Sequence, residues 1–130
     1  MVVHSLGVYL PESRVTAEEI AAWTHLPAEV VREKLGILEK PVPGPKDHPA
    51  DMALWAAQAA LGAANLPGEA VDWVISIVEE FKDYPVWTTA PYLALGLGAS
   101  RAKGLDLNQK CASLMGALEV ARGLFATHKE

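Results

Sequence analysis

Cys111 is the only cysteine in the chain, and it stands where the sequence changes its period, within Leu105-Asp-Leu-Asn-Gln-Lys-Cys111-Ala-Ser-Leu-Met-Gly116. Ahead of it, Leu105, Asp106 and Leu107 alternate as a short strand does. Behind it, Leu114, Leu118, Ala121 and Phe125 recur at spacings of four, three and four, the period of one helical face. The spacing predicts a strand-to-helix turn, with Cys111 at or just inside the helix's first turn.

That position suits a nucleophile. A helix's first turn carries unpaired backbone N–H groups and the positive end of the macrodipole, and both favour an anion such as a thiolate. The same turn can offer an N–H to an oxyanion developing beside the sulfur. Serine hydrolases hold their nucleophile on a strand–turn–helix elbow of this kind. The competing reading is a small buried apolar residue, which is what most free cysteines are. A second polar feature, Glu79-Glu80, closes an apolar run of strand character. Both features fall at the carboxyl ends of expected strands, where open α/β sheets place their sites.

The elements that must position them follow from local pattern. Residues 2–10 are apolar and β-rich, closed by Pro11, and read as a first strand. Thr16 and Glu19 form a capping-box pattern, so a helix is expected over about residues 17–23. Pro27 and Gly36 bracket a second short helix at 27–35. Residues 39–50 contain four prolines and a glycine and should be an exposed loop. Asp51 is expected to cap a long helix reaching about Ala64, with Met52, Trp55, Ala56, Ala59, Ala60 and Ala63 on its inward side. Residues 71–78 are nearly all apolar, which suits a parallel strand buried on both faces. A helix over about 91–97, ended by Gly98, precedes the strand and helix around Cys111. The order β, helices, β, helix, β, helix predicts an α/β fold with a largely parallel sheet covered by helices. A single domain is expected over 1–130, with its strand–turn–helix at 105–126.

Composition narrows the class. A chain of 130 residues, 51% hydrophobic and 21% charged, has the makeup of a soluble globular domain. Its net charge of −5 argues against a nucleic-acid partner. No apolar run approaches the roughly 20 residues that span a bilayer, and Met-Val-Val-His does not open a signal peptide. One cysteine makes no internal disulfide, which points to a reducing cytoplasm. No His/Cys cluster has metal-ligand spacing, and no metal is expected.

Taken together, several fragments resemble the N-terminal part of a thiolase-fold condensing enzyme of the 3-oxoacyl-acyl-carrier-protein synthase III family. They are Gly7-Val-Tyr-Leu-Pro11, Leu35-Gly-Ile37, Asp51-Met-Ala with its alanine-rich helix, Asp72-Trp-Val-Ile75, Leu97-Gly98 and Asp106-Leu-Asn-Gln-Lys-Cys-Ala112. The resemblance implies a thiolase-like fold, present as a partial N-terminal half-domain. It implies that Cys111 takes an acyl group from acyl-CoA as a thioester, which a carbanion from a malonyl thioester then attacks. Acyl-CoA or an acyl-carrier protein would be substrate, and no resident cofactor is called for. Ala112 and Trp87 would line the substrate site, Trp87 near the acyl pocket at a dimer contact. In the related 3-hydroxy-3-methylglutaryl-CoA synthases a glutamate ends the strand matched by Asp72-Trp-Val-Ile75, which makes Glu79 an alternative acid/base.

The resemblance also implies departures. The tryptophan and arginine that grip CoA in the family fall at Val30 and Lys34. Val30 cannot stack on adenine and Lys34 lacks the planar fork suited to phosphate, which leaves the usual mode of CoA binding in question. Lys110, next to the nucleophile, replaces a small residue; it either favours the thiolate by its charge or points into solvent. The family's catalytic histidine and asparagine lie in a second half, and none of the four histidines here substitutes for them. His128, 17 residues past Cys111 on the same expected helix, would be about 25 Å away. The family half-domain adds two further strands, one of which pairs with the first strand. The expectation is therefore a fragment, a split subunit or a deliberately shortened chain, active only with a complementary half or as an oligomer. A non-catalytic interaction module that keeps the fold is the remaining reading.

Overall fold

The computed structural model describes residues 1–77 and 83–127. The chain divides into two compact units, Leu10–His48 and Met1–Tyr9 together with Pro49–Glu130.

In Leu10–His48, β1 (Arg14–Thr16) pairs antiparallel with β2 (Glu39–Pro41), Val15 opposite Lys40. Helix α1 (Ala17–Thr24) opens on the expected capping box. The Thr16 N–H donates to Glu19 Oε2 at 2.7 Å, and the Glu19 N–H donates to Thr16 Oγ1 at 3.3 Å. The bond from the Thr16 backbone, followed by that from its side chain, holds the Glu19 carboxyl below its ordinary range. The helix expected at 27–35 is instead a π turn, Val30–Lys34, in which the Leu35 N–H reaches back five residues to Val30 O at 3.0 Å. Adjacent β-branched residues crowd a regular α turn, and in the wider one Val31 is fully buried. Part of the proline-rich stretch is strand rather than loop. β2 lies at an edge, where a proline without an N–H is tolerated.

In the larger unit, β3 (Trp73–Ile77), α3 (Thr89–Gly96) and β4 (Lys103–Leu107) make one β–α–β crossover. The strands run parallel, in register from Trp73↔Lys103 to Ile77↔Leu107. Val74, Ala90, Leu93, Ala94 and Ala99 form the core, joined by Leu54 from α2 (Pro49–Ala64). Gly98, at φ 72°, ends α3 in a backbone conformation that costs glycine little. The long helix begins at Pro49 rather than at a capping Asp51, because proline's missing N–H is no loss at the first helical position. The Ala50 N–H instead donates to Asp83 Oδ2 at 3.1 Å.

One expectation fails in this unit, that of a strand over residues 2–10. Residues 2–10 form no ladder: among the described residues no strand pairs with them, and an extended segment is a strand only when its backbone groups have partners. They lie against α2 by alternate side chains. The Ser5 hydroxyl donates to Ala60 O at 2.9 Å, and the Tyr9 ring sits 4.6 Å from that of Trp55. The expected sheet is thus one parallel pair and one separate antiparallel pair among the described residues. Helix α4 (Ser113–Thr127) packs on β3 and β4. Its covered residues are Ser113, Gly116, Ala117, Val120, Ala121 and Leu124, whereas Leu114 is 54% and Phe125 65% exposed. No described helix is long and apolar enough to cross a membrane.

Candidate active site

Cys111 is exposed, in a 3-10 turn, Lys110–Ala112, that joins β4 to α4. The turn is tight because its backbone groups are used within it. The Ala112 N–H donates to Gln109 O at 3.1 Å, and the Ser113 N–H donates to Lys110 O. Asn108 Oδ1 accepts the Lys110 N–H at 3.1 Å. Lys110 has φ 54°, the left-handed conformation that a residue with a Cβ adopts only when its surroundings impose it. An abrupt reversal immediately before Cys111 leaves it exposed at the strand's end, as an elbow does.

Two residues that pattern reading did not assign hold this elbow. Asp106, on β4, accepts the N–H of Thr89 through Oδ2 and that of Ala90 through Oδ1, each at 2.9 Å. It caps α3 from another element and explains why that helix starts at Thr89 rather than at residue 91. The signal was a lone carboxylate between two leucines in a strand. Ser113, 2% exposed, bonds backwards to Gln109 and Lys110. Its only signal was a hydroxyl two residues past the cysteine.

Asp106 also brings the start of α3 to β4, and with it a group of aromatic residues. The half-buried Trp87 lies 5.6 Å edge-on from Tyr84 and 5.3 Å from Tyr92. The Tyr92 hydroxyl donates to Asp51 Oδ1 in the first turn of α2. That bond, then burial and the charges of Asp51 and Asp83, raises the phenol above its ordinary range.

Of the residues singled out from the sequence, Cys111 and Ala112 share the turn, both exposed, and Trp87 precedes the helix that Asp106 ties to the same strand. Val30 and Lys34 belong to the other unit, Val30 half-buried and Lys34 exposed. Glu79 and His128 lie outside the described residues. A groove of about 810 Å³ opens at the amino ends of β3 and β4, lined by Trp73, Ile75, Lys103, Leu124 and Phe125 among others. It lies at the opposite end of the strands from Cys111. Among the described residues, no group of three or more His, Cys, Asp or Glu is placed to hold a metal ion.

This architecture, a parallel strand pair with its elbow cysteine and helical cover, is thiolase-like. A 3-oxoacyl-(acyl carrier protein) synthase III from Pseudomonas aeruginosa PAO1 superposes with a TM-score of 0.84 at 29% identity, over 98% of this chain and 38% of that one. Proteins named as 3-oxoacyl-acyl-carrier-protein synthase III are similar to this chain over their N-terminal part. It is 29% identical over 125 residues to the beta-ketoacyl-[acyl-carrier-protein] synthase III of Symbiobacterium thermophilum. It is 31% identical over 121 residues to the 3-oxopimeloyl-[acyl-carrier-protein] synthase of Rhodothermus marinus. Those matches cover 96% and 93% of this chain but 38% and 35% of the relatives, so the chain spans little more than a third of their length. No family profile matches it.

Proposed function

We propose that this chain is the nucleophile-bearing part of a condensing acyltransferase, with Cys111 taking an acyl group from acyl-CoA or an acyl-carrier protein. The thiolate attacks the thioester carbonyl, a carbon–sulfur bond forms, and the carbonyl oxygen becomes an oxyanion. The Cys111 N–H, first in the run of the turn, is the donor for that charge. Collapse expels the donor's thiolate, which takes up the proton lost by Cys111, and leaves an acyl-enzyme. No resident cofactor is needed, since the thioester supplies the activated carbonyl. Condensation with a malonyl thioester then calls on a histidine and an asparagine from a complementary C-terminal half, whether in the same assembly or brought by oligomerisation. A reducing compartment such as the cytoplasm keeps the thiol free.

The observation that carries this reading is the exposed Cys111 on its strand-to-helix elbow, in a chain whose relatives are named as acyl-carrier-protein synthases. Its test is incubation with acyl-CoA followed by peptide mass analysis. An acyl-sized increase on the Cys111 peptide, absent in Cys111→Ala, is expected. No adduct on the wild type, or an equal adduct on the alanine variant, would overturn it.

A further inference from the structure

Ser113 stands at the base of the elbow, and nothing in the reaction above uses its side chain. Its Oγ lies between two backbone groups, accepting the Gln109 N–H at 2.8 Å and donating to Lys110 O at 2.7 Å. A serine that merely caps a helix accepts from N–H groups further along the helix. This one bonds backwards, to the two residues before the cysteine.

The consequence follows from the peptide bond. The unit linking Lys110 to Cys111 is planar and trans, so its C=O and N–H point in opposite directions. Lys110 O is held from the α4 side twice, by the Ser113 hydroxyl and by the Ser113 N–H. Fixing that oxygen towards α4 aims the Cys111 N–H away from the helix, in a turn where Cys111 is exposed. The grip is needed because Lys110 sits at φ 54°, from which an unrestrained lysine would relax and rotate that peptide.

We propose that Ser113 is a positioning residue whose hydroxyl locks the Lys110–Cys111 peptide so that the Cys111 N–H stays aimed at the oxyanion formed when Cys111 is acylated. This rests on the acyl-transfer reading. Its test compares two reactions of the same thiol in wild type, Ser113→Ala and Ser113→Thr. Acylation by acyl-CoA passes through an oxyanion, whereas alkylation by iodoacetamide displaces iodide at a saturated carbon and develops none. Ser113→Ala is expected to slow acylation about tenfold while alkylation stays within about twofold, and Ser113→Thr, which keeps the hydroxyl, to recover part of the loss. An unchanged ratio of the two rates overturns the proposal, because a general loss of structure or of thiolate would move both together. Amide hydrogen exchange at Gln109 reads the clamp without any acyl donor. Exchange should quicken in Ser113→Ala, and an unchanged rate also overturns it. A wild type that is alkylated but never acylated defeats the acyl-transfer reading itself. An acylated wild type whose rate ratio survives in Ser113→Ala defeats only the role of Ser113.

Discussion

Two stretches that read as strands, residues 2–10 and β4, behave differently. Each of the five residues of β4 is in register with one of β3, Asp106 fastens the strand to α3, and the turn at its end is closed by Ser113. Residues 2–10 have no ladder among the described residues and rest on α2 through a hydroxyl, a ring contact and a close approach at Gly7. Their other side faces solvent, with Leu6 80% and Val8 71% exposed. An extended stretch takes its rigidity from the groups that pair with its backbone, not from its own hydrophobicity. The candidate nucleophile follows the stretch whose backbone is paired along one edge and fastened to α3, and that is what a site held to sub-ångström tolerance requires.

The sharpest way to break this contrast is at Asp106. Asp106→Ala strips the Thr89 and Ala90 N–H groups of their acceptor in a region where both residues are buried. The expected cost is about 2–4 kcal/mol, since each bond goes to a charged group and leaves an unsatisfied donor behind. Asp106→Asn keeps one acceptor oxygen and should lose about half as much. Urea melts read both variants. A cost below about 0.5 kcal/mol for the alanine variant would mean that β4 is no better anchored than residues 2–10.

A smaller effect is expected at Gly7. A Cβ there would lie 2.0 Å from Ala56 O and 2.4 Å from Ala60 N, both backbone atoms of α2 that cannot turn aside. Gly7→Val should therefore lift the segment off the helix. Because few contacts hold it, the cost is expected to be about 1–2 kcal/mol. Parting Tyr9 from Trp55 should alter tryptophan fluorescence, which reports the event directly. A cost equal to that of Asp106→Ala would reverse the ranking of the two stretches.

The contrast also marks what could be read without coordinates. Local chemistry was legible: the Thr16–Glu19 capping box, the end of α3 at Gly98 and the placing of Cys111 on a strand-to-helix turn all depend on residues close in sequence. What depends on partners was not. The apolar period 114, 118, 121, 125 identified a helix correctly, yet of those four only Ala121 is on its covered side, because periodicity reports hydrophobicity rather than what lies opposite. Residues 2–10 have strand composition without a paired neighbour, and β2 forms inside a proline-rich stretch because β1 lies beside it. Asp106 and Ser113 act on residues 16 or 17 and three or four positions away respectively. The first distance is invisible to local pattern, and the second runs against the usual direction of a cap.

The smallest effect lies in the joint between the two regions. The Tyr92 hydroxyl on α3 donates to Asp51 on α2, and so connects the helix that carries residues 2–10 to the helix that Asp106 fastens to β4. The bond to Asp51, with burial and the nearby carboxylates, favours the protonated phenol, so Tyr92 ionises above its ordinary value of about 10. A group whose folded value is raised in this way contributes stability that is complete below the unfolded value and lost as pH rises through the folded one. Its signature is the phenolate absorbance that disappears on Tyr92→Phe, which should have its midpoint above about 10 and move back down in Asp51→Asn. At neutral pH Tyr92→Phe removes the connection without adding charge. Hydrogen exchange should then quicken over residues 2–10 and stay unchanged over β4, because Asp106 and the β3 ladder do not depend on Tyr92. Equal quickening in both stretches would show that β4 owes its rigidity to α2 as well, and the local account of the elbow would have to be widened to include that helix.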